Sequence, residues 1–147
     1  AIYESPKTLF VAGFLGTPPV NLWRAQTKGG AAQLGDGIEV TAPRGFDLPA
    51  EVVLAVRPEH VVVRAEDEPA PKERVSFLAD VTATEPLGAE TVVHCDGPKS
   101  DDGRVTLRAK VPGFFDPSLC DRVRIIVDHD KIGWFDAKSE ARIGGEG

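Results

Sequence analysis

The chain has 147 residues, and 17 Lys and Arg against 23 Asp and Glu give it a net charge of −6. With 41% hydrophobic and 27% charged residues, its composition is that of a folded domain, which excludes a disordered or fibrous chain. The acidity also argues against nucleic acid as a partner, because a phosphate backbone attracts basic surfaces.

The N-terminal segment carries the signals of a short helix over residues 6–15. Ser5 stands at the N-cap position, Pro6 at the first helical position and Gly16 where the helix would stop. Ten residues are too few for a helix to persist alone in water. We therefore expect this apolar helix to need a partner surface.

After Pro18 and Pro19 the hydrophobic pattern changes to a period of two, which predicts a mainly β fold. In the clearest run, residues 104–111, the apolar residues alternate with Arg, Thr and Lys, as in a strand with one buried face. Nine short strands suit a barrel or a sandwich. They are expected over residues 22–27, 37–41, 52–56, 60–65, 75–82, 91–95, 104–111, 122–127 and 132–135.

The segment 66–73 is charged and contains two prolines, which is typical of a solvated linker or wide loop. It is the best candidate for a boundary between two β lobes. No repeat of fixed period is visible elsewhere in the chain.

The compartment is predicted from what the sequence does not contain. Two cysteines are too few for a secreted disulfide framework, and no basic-then-apolar leader opens the chain. The longest stretch without charge, residues 8–23, is too short and too broken by proline to span a bilayer. We expect a cytoplasmic protein, and the absence of methionine indicates a piece of a longer one.

Catalytic motifs are not found. No segment has the phosphate-binding Gly-x-x-x-x-Gly-Lys-Ser/Thr pattern, and no serine lies in a Gly-x-Ser-x-Gly elbow. The three histidines are far apart, and Cys95 and Cys120 are interpreted as buried thiols. We expect this chain to be no enzyme and to hold no metal or cofactor.

A basic stripe lies on the polar face of the clearest strand. Arg104, Arg108 and Lys110 share that face. Such a stripe is usually a solvated surface, and the alternative is a contact with an anion or an acidic protein. A barrel that binds single-stranded nucleic acid is disfavoured, because no aromatic residue interleaves for base stacking.

Four segments together resemble the C-terminal part of the ATP-binding subunits of ABC importers of the maltose and glycerol-3-phosphate type. The longest is residues 2–22, and the others are residues 56–60 with Arg-Pro-Glu, residues 85–90 with Pro-Leu-Gly, and residues 132–136 with Phe-Asp. The resemblance runs through nearly the whole chain.

The resemblance implies an OB-fold-like, transport-associated β-barrel with a short N-terminal helix. Residues 1–22 would be a helix and connector from a nucleotide-binding domain that this chain lacks. Residues 23–147 would be the regulatory β domain, divisible into two lobes near residues 66–73. ATP and Mg²⁺ would then belong to the missing domain, and the subunit would lie on the cytoplasmic side of the cell membrane.

The same resemblance selects candidate interface or regulatory residues. They are Arg57, Pro58 and Glu59 of the first short motif, and Glu85, Leu87 and Gly88 of the second. A structural explanation stands beside each: a salt bridge or turn for the first triplet and a hairpin turn for the second.

Two functional hypotheses follow. In the first, the domain joins two identical ATP-binding subunits within an importer for sugars or glycerol-3-phosphate, beside the membrane subunits, and can receive a regulatory protein. In the second, it senses a small oxyanion or sugar, with Arg104, Arg108 and Lys110 as anion contacts.

Overall fold

The structure, a computed structural model, describes residues 20–69, 73–100, 103–113 and 121–143. The helix predicted over residues 6–15, the connector as far as residue 19, and Cys120 lie outside the described residues.

The prediction of a mainly β fold is confirmed. Ten strands and two single-turn 3₁₀ helices occupy the described residues, and Pro58–His60 and His129–Lys131 form the first and second 3₁₀ turns. The strands are β1 (Asn21–Lys28), β2 (Ala31–Gly35), β3 (Ile38–Thr41), β4 (Glu51–Val56), β5 (Val62–Ala65), β6 (Val75–Pro86), β7 (Glu90–Ser100), β8 (Gly103–Pro112), β9 (Arg122–Val127) and β10 (Gly133–Asp136).

Among these strands, only β2 was not predicted from the sequence. Ala31 and Ala32 are both buried, so the segment does not show the alternation that reveals a half-buried strand. In β8, by contrast, Val105, Leu107 and Ala109 are buried as the alternation predicted.

The strands form two five-stranded antiparallel sheets. The first has the order β10-β4-β1-β2-β3 and the second the order β5-β9-β6-β7-β8. Each sheet therefore takes one strand from the other half of the chain, because β5 follows β4 and β10 follows β9 across a 3₁₀ turn.

This arrangement contains two copies of one five-stranded unit. Strands β1–β5 and β6–β10 have equivalent neighbours, and even the registers correspond: Val62 pairs with Ile126 where β5 meets β9, and Gly133 pairs with Ala55 where β10 meets β4. The sequence shows no such repeat, because the two halves share a topology and a register without sharing residues.

A continuous apolar core joins the inner faces of both sheets. Trp23 of β1 meets Phe77 of β6 edge-to-face with ring centroids 5.9 Å apart, so one aromatic contact links the equivalent strands of the two halves. Near the other end of the first sheet, Phe46 covers Trp134 with centroids 6.2 Å apart.

Segment 66–73, predicted as a lobe boundary, separates β5 from β6 in the chain. The first sheet contains β10, which follows this segment in the chain, and the second sheet contains β5, which precedes it. Each sheet is therefore built from strands on both sides of segment 66–73. The division into two lobes stays a prediction.

Candidate functional site

The Arg57-Pro58-Glu59 triplet lies where the chain passes from the first sheet to the second. Arg57 is extended, with φ −73° and ψ 142°, and Pro58 opens the 3₁₀ turn. A proline at this place fits because its fixed φ suits the turn and it favours extended geometry in the residue before it. Pro58 is buried and Glu59 is exposed, so the turn presents its carboxylate outward.

The second 3₁₀ turn carries the opposite crossover and lies near the first. Burial lowers the pKa of His60 below its ordinary 6.5, and among the charges that act on it are Lys131 and Asp130 of the second turn. The two crossovers thus bring charges of both signs to one region of the surface.

The Pro-Leu-Gly motif forms the tip of the long β6–β7 hairpin. Gly88 has φ +89°, a conformation that favours glycine, and the Leu87 amide donates to the Glu90 carbonyl at 2.7 Å. Glu85 lies 3.1 Å from the His94 ring nitrogen. Leu87 is 51% exposed, so the turn presents an apolar side chain to solvent.

The basic stripe on β8 is not uniform. Arg104 lies 4.0 Å from an Asp96 oxygen, and Lys110 lies 3.4 Å from a Glu90 oxygen, so both have carboxylate neighbours on β7. Arg108 is tied down through its backbone instead. The Arg104 Nε also donates to the Gly97 carbonyl at 3.1 Å, so the three candidate anion contacts occupy three different environments.

Asn21 binds the backbone of Arg108, a contact that was not predicted from the sequence. Its side-chain amide donates to the Arg108 carbonyl at 2.9 Å and its oxygen accepts from the Arg108 amide at 2.8 Å. Asn21 is only 3% exposed, so its amide replaces a strand neighbour for β8 and links the first sheet to the edge of the second.

Cys95 is buried as predicted, and burial raises the pKa of its thiol to about 12. Such a thiol is a poor nucleophile near neutral pH. Within the described ranges, no three His, Cys, Asp or Glu side chains form a group that could hold a metal ion.

Comparison with known families then decides where this architecture belongs. Residues 54–130 match the TOBE domain family, a span that contains the first 3₁₀ turn, the hairpin tip and the basic stripe. The chain belongs to the TOBE domain family.

The similar curated proteins are ATP-binding components of transporters. The chain is 36% identical over 143 residues to the sn-glycerol-3-phosphate import ATP-binding protein UgpC of Cereibacter sphaeroides. It is 31% identical over 149 residues to the sulfoquinovosyl glycerol transport ATP-binding protein SmoE of Agrobacterium fabrum. Each match covers 97% of this chain but only 37% and 38% of the relative, which confirms the resemblance to part of such subunits.

Among solved structures, the fold is similar to that of the cytoplasmic molybdate-binding protein ModG, crystallised with molybdate bound. The TM-score is 0.54 at 16% identity, and the match covers 78% of this chain and 94% of ModG. This likeness supports the fold of the TOBE domain. In the part of the chain that the structure describes, no helix is long and apolar enough to cross a membrane.

Proposed function

We propose that this TOBE domain is the regulatory part of the ATP-binding subunit of an ABC importer for sugars or glycerol-3-phosphate, and that it holds two such subunits together. The observation that carries the proposal is the similarity to import ATP-binding proteins along 97% of the chain. The remainder of the subunit would bind ATP and Mg²⁺ and lie against membrane subunits on the cytoplasmic side.

Pairing would act through effective concentration. A two-fold contact between regulatory domains keeps two ATP-binding domains tethered when they separate, so each new closure is intramolecular. A short connection gives an effective concentration of about 1 mM, far above that of free subunits in a cell. The continuous core across both sheets suits this role, because a rigid domain keeps the ATP-binding domain attached to it in a fixed place.

Two exposed features are candidate contact surfaces. Leu87 at the hairpin tip presents an apolar side chain that folding of the described residues does not bury. Glu59 presents a charge at the crossover between the sheets. We assign the first to apolar contact with a protein partner and the second to coupling with the ATP-binding domain or a regulatory protein.

A chimera tests this function. The C-terminal part of Cereibacter UgpC is replaced by this chain, and ATP hydrolysis per subunit is followed on dilution beside a truncated subunit that ends before it. We expect the chimera to keep its specific activity at concentrations where the truncated subunit loses it. Identical dilution curves for the two proteins would contradict a pairing role.

Variants at the first turn test coupling within the same chimera. Arg57→Ala and Glu59→Ala are expected to change ATP hydrolysis more than they lower the melting temperature of the isolated chain. If ATP hydrolysis and the melting temperature fell in parallel, the role of the triplet would be structural alone.

The likeness to a molybdate-binding protein favours one second candidate function, which is sensing of a small oxyanion. Calorimetry of this chain against molybdate, sulfate and phosphate tests it. Saturable heat with any of them supports sensing, whereas a pure pairing module gives none.

A further inference from the structure

The first half of β1 and the start of β8 face each other across a cleft of about 260 Å³ between the two sheets. Two short runs of residues form its sides, 22–24 on β1 and 104–106 on β8. Asn21 closes one end of the cleft by binding Arg108, so the two strands run in opposite directions along it. A run of this length spans roughly 10 Å.

The edge of β1 that faces the cleft has no strand beside it. Residues 21–26 pair with β4, whereas the pairing with β2 involves only the last three residues of β1. Thr27 donates its amide to the Ala50 carbonyl on the β4 side. Successive residues of a strand direct their N–H and C=O groups to opposite sides. The peptide groups of Leu22 and Arg24 therefore point away from β4 and into the cleft.

The edge of β8 that faces the cleft is open in the same way. β8 ends the second sheet, and β7 pairs with its other side. Asn21 binds both the N–H and the C=O of Arg108, so these groups are directed away from β7. By the same alternation, the peptide groups of Thr106 and Arg104 point into the cleft. Within the described ranges, no backbone hydrogen bond joins β1 to β8.

The cleft has an apolar floor and a basic rim. Trp23 and Val105 are 2% and 7% exposed, whereas the side chains of Arg24 and Arg104 are 58% and 44% exposed. The two arginines lie 3.5 Å and 4.0 Å from carboxylates of neighbouring strands, and such exposed pairs contribute little. Arg104 also donates through its Nε to the Gly97 carbonyl, so we expect it to act on a ligand through its charge. The described residues that line the cleft include no carboxylate.

We propose that an extended segment of a partner protein adds as a strand in this cleft, with apolar side chains facing inward and acidic side chains facing outward. Its backbone completes the open edges of both strands, as the Asn21 amide already does at Arg108. The outward side chains lie between Arg24 and Arg104, where opposite charges on neighbouring strands attract. This interaction is separate from subunit pairing and does not rest on it.

The experiment titrates the intact chain with the acetylated and amidated peptide Val-Glu-Val-Glu-Val at constant ionic strength. We expect saturable binding with a dissociation constant of about 1 mM or below. At saturation, amide hydrogen exchange at Leu22, Arg24 and Thr106, followed by NMR, is expected to slow at least about tenfold. The Lys110 amide faces the same edge of β8 beyond the cleft, and it serves as the internal control whose exchange rate does not change.

Variants at Thr106 separate backbone pairing from other contacts. Thr106→Pro removes one N–H from the open edge, where proline is tolerated, and is expected to weaken binding at least about tenfold. Thr106→Ala keeps that N–H and is the matched control, which we expect to bind as the unchanged chain does. If Thr106→Pro does not fold, the same peptide methylated on both glutamate nitrogens gives the test, and we expect it not to bind.

Three results would overturn the proposal. The first is the absence of saturable binding, and the second is equal affinity for the peptide and its methylated form, which would assign binding to charge alone. The third is protection of the same amides when the concentration of the chain is raised without peptide, which would make the occupant a second copy. Replacing both glutamates by lysine is expected to weaken binding, and equal affinity would contradict the acidic preference.

Discussion

Asn21 shows how one side chain replaces a strand neighbour at a sheet edge. Its amide matches the N–H and C=O of Arg108 in both directions, at a position 87 residues away in the chain. In a sequence, an asparagine between two apolar residues gives no sign of such a distant partner. The same holds for the Trp23 N–H, which is buried without a partner among the described residues, as only the structure shows.

The first prediction concerns this clamp. Asn21→Ala is expected to lower the free energy of unfolding by about 3 kcal/mol, because it leaves a backbone N–H and C=O of β8 without their partners. Urea denaturation measures the change. Leu22→Ala, at the next and 44% exposed position, is the control and should cost under about 1 kcal/mol. Similar losses of unfolding free energy in the two variants would show that the Asn21 side chain does not stabilise β8.

The second prediction concerns how the stability of the chain depends on pH. Burial lowers the pKa of His60 in the folded chain, so the unfolded chain takes up its proton first. The contribution of His60 to stability is therefore complete above its ordinary pKa of 6.5 and falls as the pH drops through 6.5 toward the lower folded value.

Urea unfolding between about pH 7.5 and pH 5.5 checks this sign. We expect the unchanged chain to lose more stability over that range than His60→Gln does. His129→Gln removes an imidazole from an exposed place in the second turn and serves as the matched control. The same pH slope with and without His60 would refute the assignment.

At the scale of elements, the turn between β2 and β3 is docked against the end of β7. A Cβ built on Gly35 would lie 2.3 Å from the Lys99 carbonyl oxygen, so only glycine fits this approach. The neighbouring Asp36 carboxylate accepts the Lys99 amide at 2.9 Å. Together they hold the first sheet against the second.

The third prediction follows from this contact. Gly35→Ala is expected to destabilise the chain at least about 2 kcal/mol more than Gly37→Ala, because both glycines have positive φ but only Gly35 touches another backbone. Thermal unfolding of the two variants measures the difference. Equal melting temperatures would show that backbone conformation, and not the close approach, decides the cost.

The strands themselves could largely be predicted, because alternation along a strand records which face is buried. That is why the prediction of β8 agrees with the structure, and why β2, with adjacent buried alanines, was not predicted. Alternation does not record which strand lies beside which. The exchange of β5 and β10 between sheets therefore required the structure.

At the scale of the molecule, this exchange binds the halves of the chain to each other. The fourth prediction is that fragments 1–69 and 70–147 do not fold cooperatively alone, because each lacks a strand of its sheet and half of the shared core. Mixed in equal amounts, they are expected to regain the β signal in circular dichroism. Cooperative unfolding of either fragment by itself would show two independent lobes.

The pairing of two copies is the central claim, and sedimentation equilibrium of the intact chain tests it most directly. The fifth prediction is that the apparent mass rises from 15.7 kDa toward about twice that value as the concentration approaches ~100 μM. A mass that stays at 15.7 kDa over the whole range would contradict the account.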